Sequence, residues 1–78
     1  MTKLKNTREI IDGLPEVIRR QVEYFRFSYA HPTRYIEKEQ TRNAMAGYVL
    51  GLHDCGFITE RERQVIFIYM TVPKKDEN

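Results

Sequence analysis

A chain of 78 residues has room for one domain and a thin core, since folding at this size hides only about 60–65% of the surface the unfolded chain exposes. Its 13 basic and 11 acidic residues leave a formal charge of +2 and are mixed along the chain, which describes a solvated surface and excludes the concentrated basic stripe of a non-specific nucleic-acid binder. One cysteine excludes an intrachain disulfide, and the longest apolar run, VIFIYM at 65–70, is far too short to span a bilayer.

Residues 1–5 are expected to be loose, and MTKLKNTREI lacks the apolar core of a signal peptide, so the expected location is the cytoplasm. Asn6-Thr7-Arg8-Glu9 has capping-box spacing and opens a short helix whose apolar contribution is Ile10 and Ile11. Gly13 permits the break, and Pro15 suits the first position of the next helix. That helix, about 15–30, carries Leu14, Ile18, Val22, Phe25 and Tyr29 at helical spacing, with Val17 alongside. Arg19, Arg20, Glu23 and Arg26 fall on or near its other side, and His31-Pro32 stops it, because proline disfavours helical geometry in the residue before it.

A third helix is predicted from Thr33 or Tyr35 to Cys55. Met45, Tyr48, Val49 and Leu52 form its apolar stripe, and Ala44, Gly47 and Gly51 make a small-residue track beside it. Glycine inside a helix costs about 1 kcal/mol against alanine, so two of them four apart predict a closely packed helix, within the chain or across a homodimer. Gly56 then provides a left-handed stop, with Phe57 to make the closing apolar contact, and Thr59-Glu60-Arg61-Glu62 repeats the capping-box spacing. The run VIFIYMTV has strand propensity. The capping box nonetheless favours a fourth helix over about 60–71 that buries Val65, Ile66, Tyr69 and Met70 and ends at Pro73. The expected architecture is all-α: a small bundle of three to four helices in a single domain over 1–78, disordered at 1–5 and 74–78, with a C-terminal helical hairpin cornered at 55–59.

Little in the sequence points to catalysis. His53, Asp54 and Cys55 are adjacent, but consecutive helical residues point about 100° apart and cannot converge on one ion. Cys55 falls at a helix C-terminus, where the partial negative charge disfavours a thiolate, and it reads as a small core residue. No phosphate loop, paired-glycine nucleotide fingerprint or nucleophile elbow occurs. No catalytic, cofactor-binding or metal-binding residue is assigned, and the chain is expected not to be an enzyme.

The segment YFRFSYAHPTRY, 24–35, is the candidate functional surface. One helix face cannot bury Tyr24, Phe25, Phe27 and Tyr29 together, and Arg26, His31 and Arg34 are interleaved with them. Aromatics beside arginine recur in protein hot spots and on single-strand platforms. The alternative, in which the third and fourth helices cover these aromatics as core, stands open at this point.

Three resemblances gather at the corner. Gly51 to Glu62, GLHDCGFITERE, resembles the helix–Gly–Ile-Thr–helix hairpin of the short C-terminal oligomerisation modules called SHOCT, with Arg63 where that motif places a phenylalanine. The resemblance implies self-association or protein docking. Ile58 to Ile66 resembles the helix that opens the DNA-binding domains of response-regulator outputs and sigma factors. In those families two more helices follow, which have no counterpart after Pro73, so DNA reading is not carried over. The pattern from Gly47 to Glu62, preceded by an Arg-rich helix, is similar to short uncharacterised proteins of phages and mobile elements of Gram-positive bacteria. That similarity implies a role in phage regulation or in blocking a host defence.

The expected function is therefore that of a small non-enzymatic binding module docking stoichiometrically on a protein, such as a host nucleic-acid-processing or CRISPR-type defence complex. Its expected anchors are Tyr24, Arg26, Phe27, Tyr29 and Arg34. The alternatives are a nucleic-acid-binding regulator using Arg19, Arg20, Arg26 and Arg34 against phosphates, and a structural module self-associating through Ala44, Gly47 and Gly51.

Overall fold

The structure, a computed structural model, describes residues 4–72. Four helices follow in order: α1 (Thr7–Asp12), α2 (Glu16–Ala30), α3 (Tyr35–Asp54) and α4 (Glu60–Thr71), with no strand among the described residues. The all-α bundle and its C-terminal hairpin are thus present. The expected stop at Pro73 and the tail at 74–78 lie outside the described residues, as do residues 1–3 of the start expected to be loose.

The helix starts follow from local hydrogen bonding. Asn6 Oδ1 accepts the Glu9 N–H at 2.9 Å and the Glu9 carboxylate accepts the Asn6 N–H at 2.9 Å, a complete capping box. Thr59 and Glu62 repeat it at α4, with the Glu62 N–H donating to Thr59 Oγ1 at 3.1 Å and the Thr59 N–H to Glu62 Oε1 at 2.8 Å. Pro15 stands just before α2 as its cap and has no side-chain hydrogen bond to give.

The ends are equally local. Gly13 caps α1 in an ordinary right-handed conformation (φ −82°), and what favours glycine there is space: an added Cβ would lie 3.1 Å from the Glu9 carbonyl oxygen. After α3, Gly56 has φ +82°. The Phe57 N–H donates to the Leu52 carbonyl at 3.0 Å and the Gly56 N–H to that of His53 at 2.9 Å, the paired bonds of a Schellman stop. Phe57 does not make the expected closing contact. It is 66% exposed, and Ile58, 6% exposed, is the residue that turns into the core.

α4 is the helix on which α1, α2 and α3 all pack. Ile66, Tyr69 and Met70 from α4 meet Ile10 and Ile11 of α1, Val22 of α2, and Met45 and Val49 of α3 in one buried cluster. Every predicted core position of α1, α3 and α4 is buried or packed against this cluster. Val17 is not: it is 76% exposed, on the side of α2 away from the cluster. Cys55, expected in the core, is exposed. It caps α3 one residue past the last helical position, so the stripe that carries Leu52 inward no longer governs where it points. Lys5 is less loose than expected, since its carbonyl accepts a hydrogen bond from Arg61 Nη1 at 2.9 Å and ties the chain start to α4.

Candidate functional site

The corner between α2 and α3 is built by hydrogen bonds that the sequence spacing alone does not announce. The His31 N–H donates to the Phe27 carbonyl at 3.0 Å as α2 ends. His31 Nδ1 lies 2.9 Å from the same carbonyl oxygen; a carbonyl only accepts, so Nδ1 carries the proton and Nε2 is left to other partners. The imidazole stacks on the Phe27 ring at 4.3 Å between centroids, 27° from parallel. Beyond Pro32, the Glu37 carboxylate accepts from both the Thr33 N–H (3.2 Å) and the Thr33 hydroxyl, and from Arg34 Nη2 at 3.4 Å. The Thr33 hydroxyl is the main reason the Glu37 carboxyl is held below the usual carboxylate range, with the Thr33 amide and Arg34 adding to it. Glu37 sits in the first turn of α3 and reaches back to residues that lack a cap of their own.

This frame presents aromatic rings to solvent. Tyr24 and Phe27, one helical turn apart, are each 64% exposed, and Tyr35 at the start of α3 is 78% exposed. Phe25 and Tyr29 pack against the core cluster, Phe25 edge-on to Tyr48 at 5.6 Å. Tyr29 is half-buried, with the Lys38 ammonium 4.9 Å over its ring centre. The open question about residues 24–35 is thereby divided: Tyr24, Phe27 and Arg34 face solvent, while Phe25 and, in part, the expected anchor Tyr29 belong with the core.

Arg26 is the exception among the expected anchors. It turns inward to α4, donating Nε–H to the Tyr69 carbonyl at 3.0 Å and lying 4.5 Å over the Tyr69 ring. The Tyr69 hydroxyl in turn donates to Glu23, at 2.8 Å to Oε2. Glu23 and Arg26, read from the sequence as outward residues of α2, are therefore part of the α2–α4 contact. Burial, more than the Glu23 hydrogen bond, pushes the Tyr69 phenol above its ordinary value.

Two clefts flank the Phe27–His31 stack, with Phe27, His31 and Pro32 lining both. The one toward α4, about 540 Å³, also has Tyr29, Lys38 and Met70 in its lining. The one toward the middle of α3, about 420 Å³, has Tyr24, Glu37 and Ala44. His31 and Lys38 thus join the surface beside the residues expected there. The signals that locate them are the four-residue step from Phe27 to His31 and the proline that forces the turn.

The small-residue track touches this surface only at Ala44, and its glycines lie beyond it. Ala44, Gly47 and Gly51 are exposed, and a Cβ built on either glycine meets nothing within 4 Å. The expectation that another helix of the chain packs closely there is overturned: α2 and α4 both sit on the Met45–Val49 side of α3, so this face is turned away.

At the hairpin corner, His53 Nε2 lies 3.7 Å from Glu60 Oε1 and Nδ1 3.6 Å from Asp54 Oδ1. Glu60 also accepts from Arg63 and Gln64, and these hydrogen bonds, led by Arg63, draw its carboxyl down to about 2. This network joins α3 to α4 without enclosing a space. Among the described residues no group of His, Cys, Asp and Glu could hold a metal ion, and no helix is long and apolar enough to cross a membrane.

Comparison with protein-family models, with curated proteins and with solved structures gives no match to this chain. The geometry of the α2–α3 corner is therefore what bears on function.

Proposed function

We propose that the protein is a non-enzymatic binding module that docks stoichiometrically on a protein partner through the α2–α3 corner. The observation that carries this reading is the pair Tyr24 and Phe27, large aromatics left 64% exposed on a helix whose other face is fully used by the core. A thin-cored domain gains little from exposed aromatics, whereas exposed rings of this kind are the usual anchors of a protein interface. The similarity of Gly47–Glu62 to short phage and mobile-element proteins supports a cytoplasmic inhibitor of a host nucleic-acid-processing or CRISPR-type defence complex.

The experiment is an affinity capture from a Gram-positive host lysate with the wild-type chain and a Phe27→Ala variant as parallel baits, each with and without nuclease and across a salt series. A protein captured in fixed stoichiometry, lost with Phe27→Ala and retained after nuclease supports the reading. Capture that disappears with nuclease and falls linearly in log affinity against log salt favours the rival regulator that binds phosphates through arginines such as Arg19 and Arg20.

A second reading has its own observation. The open space over Gly47 and Gly51, next to Leu50 at 50% exposure, suits self-association of α3 against a second copy. Sedimentation of the purified chain separates it from docking at the α2–α3 corner.

A further inference from the structure

We propose that the cleft between the Phe27–His31 stack and α4 seats an acidic side chain of the protein partner, with an apolar neighbour of that residue lying against Tyr29 and Pro32. The inference rests on the α2–α3 corner being the docking face, and it names the chemistry that face selects.

Charge divides the two clefts on either side of the stack. The cleft toward α4 is lined by Lys38 and by Arg26, the latter already bound to Tyr69, and among the described residues Glu23 is the carboxylate in its lining. That carboxylate is already engaged, accepting the Tyr69 hydroxyl through both oxygens at 2.8 and 3.1 Å. The cleft on the other side is lined by Glu37 and has no lysine or arginine in its lining. A carboxylate approaching this face therefore meets the Lys38 ammonium on one side of the Phe27 ring and the Glu37 carboxylate on the other.

Lys38 is the group prepared to receive it. Its ammonium is held over the Tyr29 ring at 4.9 Å and has no carboxylate partner among the described residues. Three N–H donors on a charge steered by an aromatic face can form charge-assisted bonds to an incoming carboxylate at little ordering cost. Tyr29 and Pro32 supply apolar surface in the lining, and Met70, a core residue 2% exposed, closes the bottom. A volume of about 540 Å³ accepts more than a lone carboxylate and lies within the range of about 300–1,000 Å³ typical of built ligand sites.

The test is selection from a displayed library of random dodecapeptides on the intact chain, followed by affinity measurement on the enriched peptides. The expected peptides carry Asp or Glu beside a large apolar residue. Replacing that acid by its amide lowers affinity about tenfold or more, and Lys38→Gln on the protein does the same. Lys38→Glu shifts a repeated selection from acidic to basic residues, an exchange that a merely structural lysine would not produce. Circular dichroism verifies the helices of both variants. Enriched peptides without an acidic preference, or indifferent to Lys38, overturn the inference, and so does a selection that enriches nothing. Peptides that need their acid and Lys38 but tolerate Phe27→Ala instead overturn the reading of the α2–α3 corner as the docking face.

Discussion

Arg26 reaches from the middle of α2 to the end of α4, where its Nε–H donates to the main-chain carbonyl of Tyr69 at 3.0 Å while the guanidinium lies 4.5 Å over the same residue's ring. Tyr69 is three residues from the end of α4, so its carbonyl is among those that a helix leaves without an internal partner. A cation there also meets the negative end of the helix dipole. Arg26 does the work of a C-cap from another helix.

Arg26→Ala should accordingly lower stability by about 1.5–3 kcal/mol, the range for a hydrogen bond to a charged group. Arg26→Lys should recover only part, since it keeps the charge but loses the planar guanidinium and the Nε donor. Urea denaturation of the three proteins checks this. An unchanged midpoint for Arg26→Ala would return Arg26 to the list of recognition residues.

The hairpin corner gives a second expectation. Gly56→Ala places a Cβ on a residue at φ +82° and should cost about 1–2 kcal/mol. Thr59→Ala removes one half of the α4 capping box and should cost about 0.5–2 kcal/mol. In a domain of this size each kilocalorie corresponds to roughly 4–8 °C in melting temperature. Thermal melts of the single variants should show both losses, with the helical spectrum retained below the transition.

These two predictions mark where the sequence was informative and where it was not. Caps are local, so Asn6, Gly56 and Thr59 could be read from neighbours three or four residues away, and the helix limits followed within a residue or two. The strand propensity of 65–72 lost to the Thr59–Glu62 box and to the helical spacing of Ile66, Tyr69 and Met70. Contacts across the bundle are different. Arg26 and Tyr69 are 43 residues apart, Arg61 and Lys5 56 apart, and no spacing rule joins them. The same holds for faces: periodicity put Ala44, Gly47 and Gly51 together on one side of α3 but carried no information about which side the other helices would cover.

That open side leads to a third prediction. In a monomer, Gly47→Ala and Gly51→Ala should each raise stability by up to about 1 kcal/mol, because the new methyl meets nothing and alanine is the better helix former. If a second copy packs on this face, the same methyls should weaken the dimer and shift sedimentation toward the monomer. Melting temperature and sedimentation velocity, measured on the same samples, separate the two outcomes.

Charge linkage gives a fourth. Glu60 is drawn down to about 2, chiefly by the Arg63 hydrogen bonds, so its contribution is present above the ordinary value of 4.5 and is lost as pH falls from there through about 2. Tyr69 has the opposite sign. Burial first, and then Glu23, raise its phenol above 10.0, so its contribution is complete below that value and is lost as pH climbs past it. Phenolate absorbance and helical ellipticity should therefore change together above pH 10 for at least one tyrosine, and Tyr69→Phe should reduce that coupling to the part due to Tyr48, whose phenol burial also raises. Five tyrosines titrating with the helices intact would contradict it.

The last prediction concerns the docking face, and it depends on keeping Arg26 out of the test. Phe27 and Tyr24 are two-thirds exposed, and the Arg34 side chain is 72% exposed and ion-paired with Glu37. Substitutions at such positions usually change stability by less than about 0.5 kcal/mol, and an exposed ion pair contributes about as little. A central aromatic anchor, by contrast, typically accounts for about 2 kcal/mol or more of a binding free energy, roughly 30-fold in affinity. Phe27→Ala, Tyr24→Ala and Arg34→Glu should each leave the denaturation midpoint nearly unchanged, and Phe27→Ala should weaken partner binding most. Phe27 also holds the His31 ring that separates the two clefts, so its removal merges them as well as deleting the anchor. Phe27→Leu should then recover part of the binding by restoring apolar bulk without the stacked face. If all three variants bind as the wild type does, the exposed aromatics are not the anchor, and the outward face of α3 around Gly47 and Leu50 becomes the surface to test.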